Sequence, residues 1–200
     1  MKRALIIIFL ILIADQIFKI WIKTHMYIGQ EYHVLGDWFM LHFTENEGMA
    51  FGMSLGGSTG KLILSIFRII AVVAIGYYIH SLIRKKTNKW LIISLSLILA
   101  GALGNILDSA FYGLFFSASS YHQIATFMPE GGGYAPFLYG KVVDMLYFPL
   151  IEGNFPGWVP FMGGDHFIFF RPVFNIADSA ITVGVFMLIL MQKSLFKKQN

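Results

Sequence analysis

The sequence predicts an all-α polytopic membrane protein, with four transmembrane helices and a small β-rich element on the extracytoplasmic surface. Three observations predict it. Of the 200 residues, 56% are hydrophobic and only 13% charged, where about 25% charged is usual in a water-soluble domain; the mean hydropathy is +0.67. The apolar residues collect into four runs, at about 4–22, 62–83, 90–112 and 172–192. Each is close to the roughly 20 residues that cross a hydrocarbon core in helical form. The stretches between them, 24–60 and 113–171, are rich in Gly, aromatics and short alternating pieces, the pattern of strands and turns. No repeat or low-complexity tract divides the chain, so residues 1–200 read as a single membrane-embedded domain.

The first run follows Lys2 and Arg3, as a signal peptide would. No small-residue cleavage site follows it, and it holds Asp15 and Lys19, so it reads as a retained helix. Asp15 and Lys19 lie four apart, on one face, where they can pair. In 24–60 the piece Trp38-Phe39-Met40-Leu41-His42-Phe43 alternates like a strand. Asn46 and Gly48 after it mark a turn, either an ordinary one or one whose backbone lies against something bound. The second run carries Arg68 and ends in the basic loop 84–89. The third ends with Gly101, Gly104, Asn105 and Asp108 on one helical face, two small residues for close approach and two polar ones toward the same neighbour. In 113–171 the piece 141–146 is strand-like and holds Asp144.

The fourth run is expected to begin at Pro172, which suits a first helical turn. Asn175, Asp178 and Thr182 then share a helical face, and Asp178 is expected about 9 Å below the outer end. An ionisable group within a span costs at least about 2.5–3.5 kcal/mol and is a functional-site candidate. A lone Asp is also compatible with a structural contact between helices.

Charge orients the chain. Four spans place both termini on one side, and Lys2, Arg3, the 84–89 cluster, Lys193, Lys197 and Lys198 all fall there. The positive-inside rule makes that side cytoplasmic. The net charge of +4 is thus an orientation signal, and no nucleic-acid partner is expected. Asp15, Lys19, Asn105, Asp108 and Asp178 then fall at similar depth in the outer leaflet, with Asn46 and Asp144 just outside. There is no cysteine, which excludes disulfides, thiolate metal sites and a Cys nucleophile. His122 and His166 lie on loops without a ligand motif, so no metal and no cofactor is expected. An ion- or proton-coupled small transporter would also carry acids in its spans, but the repeats usual there are missing.

Five pieces together resemble the lipoprotein signal peptidase family, also called signal peptidase II: Asp15-Gln16-Ile17-Phe18-Lys19, Asn46-Glu47-Gly48-Met49-Ala50-Phe51, Gly101-Ala102-Leu103-Gly104-Asn105-Ile106-Leu107-Asp108, Val142-Val143-Asp144 and Phe174-Asn175-Ile176-Ala177-Asp178-Ser179. They occur in the family's order and touch all runs but the second. The resemblance implies an aspartic endopeptidase of the bacterial inner membrane that cuts prolipoproteins before a Cys already carrying diacylglycerol. The implied partners are that substrate and membrane lipids. The implied catalytic pair is Asp144 and Asp178, supported by Asp15, Lys19, Asn46, Gly48, Gly104, Asn105, Asp108, Asn175 and Ala177. Two carboxylates sharing a proton suit peptide hydrolysis, one as base and one as acid. The chain departs from the family at Ser109, where an Arg is usual; Arg68 and Arg171 are candidates for its role. The outer segment around Asp144 is also longer than is common.

Overall fold

In the first helix, α1 (Lys2–His25), the buried residues include Asp15, Lys19 and Lys23, while Leu5, Phe9 and Ile17 point outward. This inversion of the water-soluble pattern is expected where the surroundings are lipid and polar groups must be satisfied inside the protein. The computed structural model describes residues 2–48, 57–149, 151–169 and 172–195. Helix α2 (Gly57–Arg84) is likewise studded with exposed apolar side chains. Helix α3 (Lys89–Leu107) packs against α1, α2 and the last helix, α5 (Ile176–Leu195). The Asn88 side chain caps α3 by accepting the Trp90 N–H at 2.9 Å, satisfying one of the open donors of the first turn.

Small residues let α3 sit among its neighbours. A Cβ at Gly101 would run into the carbonyl oxygen of Ala177 in α5, and one at Gly104 would sit 3.1 Å from the Ala177 Cβ and 2.8 Å from Asp15 Oδ2. Close backbone approach is what brings the polar ends of α1, α3 and α5 within hydrogen-bond reach. Beyond Leu107, α3 widens into a π turn (Asp108–Tyr112) and ends in the short α4 (Gly113–Phe115). The segment after α4 folds back over that turn: Ala135 N–H donates to Gly113 O at 3.0 Å and Gly140 N–H to Ser109 O at 2.8 Å. It thereby delivers β3 (Val142–Tyr147) directly beside Asp108.

β3 lies inside a four-stranded antiparallel sheet ordered β1-β2-β3-β6, with β1 (Glu31–Leu35), β2 (Phe39–Asn46) and β6 (Val173–Phe174). Phe43, Val143 and Met145 pack with Ile22 and Met26 of α1 and with Tyr112 and Phe116 in one apolar cluster. The register pairs Thr44 with Asp144 and Asn46 with Val142, so by the two-residue period these share the opposite face. β4 (Ile151–Asn154) and β5 (His166–Phe169) form a separate hairpin between β3 and β6.

Among the described residues, three helical stretches, Lys2–His25, Thr59–Arg84 and Lys89–Phe115, are long and apolar enough to cross a membrane; Ile176–Leu190 of α5 is apolar but shorter. The sequence-based boundaries shift at the helix ends that meet the sheet. α1 continues to His25 rather than 22. Pro172 does not open a helix: Val173 and Phe174 pair with Tyr147 and Leu146 as a strand, and α5 starts only at Ile176. Asp178 is accordingly in the first turn, within about 5 Å of the helix start, and not 9 Å down. Asn175 lies before the helix rather than on its face with Thr182. The turn at Asn46 and Gly48 is present, whereas Met49 to Phe51 lie outside the described residues.

The α3–α5 contact yields a paired test. Gly101→Ala should destabilise the detergent-solubilised protein by about 1–3 kcal/mol, the range for overpacking a tight contact. A Cβ at Gly76 in α2 meets nothing within 4 Å, so Gly76→Ala should be neutral or stabilising by up to about 1 kcal/mol. Equal melting temperatures for the two variants would contradict the close packing of α3 on α5.

Candidate active site

Lys19 is wholly buried, and its Nζ meets three acceptors: Asp15 Oδ2 at 2.9 Å, Asp108 Oδ2 at 2.8 Å and Asn105 Oδ1 at 2.9 Å. Three donors for three acceptors fill the ammonium's capacity. The acids spend their remaining lone pairs on neighbours. Asp15 Oδ1 accepts the Ala177 N–H of α5 at 2.9 Å. Asp108 accepts Gln16 Nε2 at 2.8 Å and the Val143 N–H of β3 at 3.3 Å. Helices α1, α3 and α5 and strand β3 are therefore tied at one charged knot. Among the described residues, no buried side-chain nitrogen or oxygen lacks a partner.

Two asparagines extend the knot to the remaining acids. Asn105 receives Lys19 on its carbonyl oxygen and donates its amide to Asp178 Oδ1 at 2.8 Å. Asn175 donates to Asp144 Oδ1 at 2.7 Å and to Asn105 Oδ1 at 3.2 Å. Its own Oδ1 accepts the Asp178 N–H at 2.8 Å, which makes Asn175 the N-cap of α5. A continuous chain Asp144–Asn175–Asn105–Asp178 results. Asp178 sits in the first turn of α5, where the helix dipole favours a negative charge. Asp144 is nearly fully buried on β3. Burial, and then the charge of Asp178, push its carboxyl up to about 7 against the pull of Lys19 and of the Asn175 and Asn46 hydrogen bonds.

The second oxygen of Asp144 accepts the Asn46 amide, and Asn46 Oδ1 accepts the Gly48 N–H. Gly48 adopts φ +89°, and the Arg68 guanidinium occupies the space where a Cβ would go. Arg68, half-buried on α2, donates to the Gly48 carbonyl. Its charge is near enough to feel Asp178, Asp108 and Asp144. Ser109 spends its hydroxyl on the Asn105 carbonyl at 3.1 Å and brings no charge. Arg171 lies outside the described residues. Among the described residues no three His, Cys, Asp or Glu side chains are grouped to hold a metal ion.

The two acids of the implied catalytic pair and the nine residues expected to support them thus fall in one connected cluster, Gly104 and Ala177 as the close contact between α3 and α5. Sequence reasoning missed Gln16, Tyr112 and Lys23. Gln16 bridges Asp108 and the Tyr112 hydroxyl. Lys23 pairs with Glu45 of β2 and donates to Ser119 Oγ at 2.8 Å, with the Tyr134 ring 5.0 Å away. Asp15, Lys19 and Lys23 at successive four-residue steps were the available signal.

The sequence profile described as Signal peptidase (SPase) II matches residues 7–194. The chain belongs to the signal peptidase II family. Its relatives include the lipoprotein signal peptidase of Porphyromonas gingivalis, 53% identical over 185 residues that cover 92% of this chain and 80% of the relative. That of Amoebophilus asiaticus is 41% identical over 189 residues, covering 92% and 75%. A solved structure described as a bacterial membrane enzyme, obtained by the in meso method at 2.3 Å, aligns with TM-score 0.64 and 26% identity over 100% of this chain and 94% of that one. The protein is thus a membrane protein of a peptidase family, with the connected acid cluster at the helix ends that meet the four-stranded sheet.

Removing the central cation should expose the cost of this arrangement. Lys19→Met leaves two buried acids without their counter-ion and should destabilise the protein by about 3–5 kcal/mol, read as a lowered melting temperature in detergent. Unchanged stability would mean that the knot is dispensable. A second expectation concerns pH. The folded state keeps the Asp144 proton up to about pH 7, whereas the unfolded carboxyl loses it near 3.8. The stability from this group is fully present below about pH 4 and is lost as pH rises through about 7. Asp144→Asn should flatten that decline in a melting-temperature profile against pH; an unaltered profile would assign the decline to other groups.

Proposed function

We propose that the protein is an aspartic endopeptidase of the bacterial inner membrane, removing the signal peptide from diacylglyceryl-modified prolipoproteins just before the lipid-bearing Cys. Asp144 and Asp178 are its catalytic pair. The observation that carries this reading is the hydrogen-bonded chain Asp144–Asn175–Asn105–Asp178, which joins an acid whose carboxyl burial pushes up to about 7 to one at a helix N-terminus. Family membership supplies the substrate class. The distribution of Lys and Arg supports four spans, cytoplasmic termini and an active site toward the outer leaflet. Diacylglycerol and the surrounding membrane lipids are then natural neighbours of the site.

In the proposed reaction the Asp178 carboxylate takes a proton from water as the water oxygen adds to the scissile carbonyl carbon. Asp144 gives its proton to the carbonyl oxygen, so a neutral gem-diol forms. On collapse Asp178 protonates the departing amine, the C–N bond breaks, and Asp144 recovers a proton from the gem-diol. Asn175 and Asn105 orient the two carboxyls. Asp15, Lys19, Asp108, Gly104 and Ala177 hold the elements that carry them, and Asn46 and Gly48 fix Asp144 from the β2 side. Arg68 is assigned the role of the cation that the family places at position 109.

The test is cleavage of a diacylglyceryl-modified prolipoprotein by the detergent-purified protein, with no ion gradient. Asp144→Asn and Asp178→Asn should each lower kcat by roughly 10²–10⁴-fold, and the double variant should be about as inactive as either single one because the carboxyls act as a unit. A metal chelator should leave the rate unchanged. Substantial turnover by either Asn variant, or inactivation by chelation, would overturn the mechanism.

A further inference from the structure

None of the described side chains of the β4–β5 hairpin belongs to the acid cluster, yet both its ends are rooted beside it. β3, which bears Asp144, ends at Tyr147, and the hairpin opens at Ile151. It returns at Phe169, shortly before β6 and the Asn175 cap of α5. Its strands pair in register from Ile151↔Phe169 to Asn154↔His166. Its tip, 155–165, is a folded double turn: Phe155 N–H donates to Asp165 O and Gly164 N–H to Phe155 O, both at 2.9 Å, while Pro156–Val159 and Met162–Asp165 each close at 3.0 Å. An ordered tip of this kind would be expected to cover its apolar side chains or present polar ones. This tip does neither. Trp158 is 81% exposed, Phe161 fully exposed and Met162 51% exposed. Phe161 also adopts φ +64°, a left-handed conformation that is unfavourable for a bulky residue and is retained where the side chain's direction matters.

Chemistry selects the occupant. From 142 to 170 there is no Lys or Arg, and Asp144, Glu152 and Asp165 are the acids. Nothing there draws an anionic ligand or an anionic lipid headgroup. Two large aromatics and a Met on a Pro- and Gly-rich turn match the side chains that settle at the headgroup level of bilayers. The hairpin is rooted shortly before α5 begins, and a four-residue strand carries its tip roughly 13 Å from that root.

We propose that the tip of the β4–β5 hairpin is a membrane anchor, with Trp158, Phe161 and Met162 seated among the lipid headgroups and upper acyl chains of the leaflet that α5 enters. The proposal rests on the chain spanning a membrane, and its test separates the two. Two single-Trp proteins are made, one keeping Trp158 (W21F, W38F, W90F) and one keeping Trp21 on α1 (W38F, W90F, W158F). Each is placed in nanodiscs of phosphatidylcholine brominated on the upper acyl chain. The expected result is loss of most Trp158 emission in brominated relative to plain lipid, with little quenching by aqueous iodide. Quenching of Trp21 but not of Trp158 overturns the anchor and leaves the membrane assignment standing. Quenching of neither overturns both. Shielding of Trp158 from iodide only after a lipid-modified peptide is added makes the tip a substrate contact and also overturns the anchor. Because the chain has no native Cys, a nitroxide on F161C in an otherwise unaltered protein gives a second measure. Collisions with oxygen should exceed those with a water-soluble nickel chelate, and the reverse order overturns the proposal.

Discussion

One buried ammonium organises the sheet-bearing half of this molecule. Lys19 costs a few kcal/mol to place inside a membrane segment, about 2.5–3.5 on insertion scales. It is tolerated because Asp15, Asp108 and Asn105 together occupy its donors. Each partner is then committed elsewhere: Asp15 to the Ala177 amide of α5, Asp108 to the Val143 amide of β3, Asn105 to Asp178. A single charge thus sets the relative positions of three helices and a strand. Buried ion pairs are a poor source of net stability, and specification of geometry is their better-attested role. Here the geometry specified is the placement of two acids contributed by different elements.

The same economy explains the backbone irregularities around the site. α3 widens into a π turn starting at Asp108, and such bulges often sit at functional positions. The Ser109 carbonyl of the widened turn accepts the Gly140 N–H, and the Gly113 carbonyl just after it accepts the Ala135 N–H; these contacts bring β3 to Asp108. Gly48 adopts a positive φ because the Arg68 guanidinium fills its Cβ side and bonds its carbonyl. Lys23 and Glu45 form a second buried pair, on the side of β2 that faces α1. It clamps the sheet to the helix end, away from the Asp144 face.

The fold class was legible because lipid imposes a simple rule on composition and run length. Three long helices fall close to their expected positions, and the small sheet lies between the runs assigned to spans. The errors fall at the helix ends that meet the sheet. Pro172 looked like a helix start because its local chemistry permits one, but Val173 and Phe174 had a better partner in β3. That pairing moved the start of α5 to Ile176, turned Asn175 from a face residue into a cap and lifted Asp178 into the first turn. Strand pairing is non-local, so no window around 172 contains the information.

What the sequence determined by itself was the list of residues that had to be compensated. Asp15, Lys19, Asn105, Asp108 and Asp178 stand in or beside apolar runs, and lipid forbids leaving them alone. Charge asymmetry led to the expectation that they share one leaflet, and five short motifs assigned the chain to one family. Which atom meets which was decided only by the tertiary structure. Asp144 and Asp178 are far apart in sequence from Asn105, and nothing local indicates that two asparagines, one helical and one a cap, would link the acids. Nor did the sequence show that Gln16, unremarkable in a helical run, would bridge Asp108 and Tyr112. These outcomes depend on how closely Gly101 and Gly104 let α5 approach α3, a distance set by packing of segments some 70 residues apart.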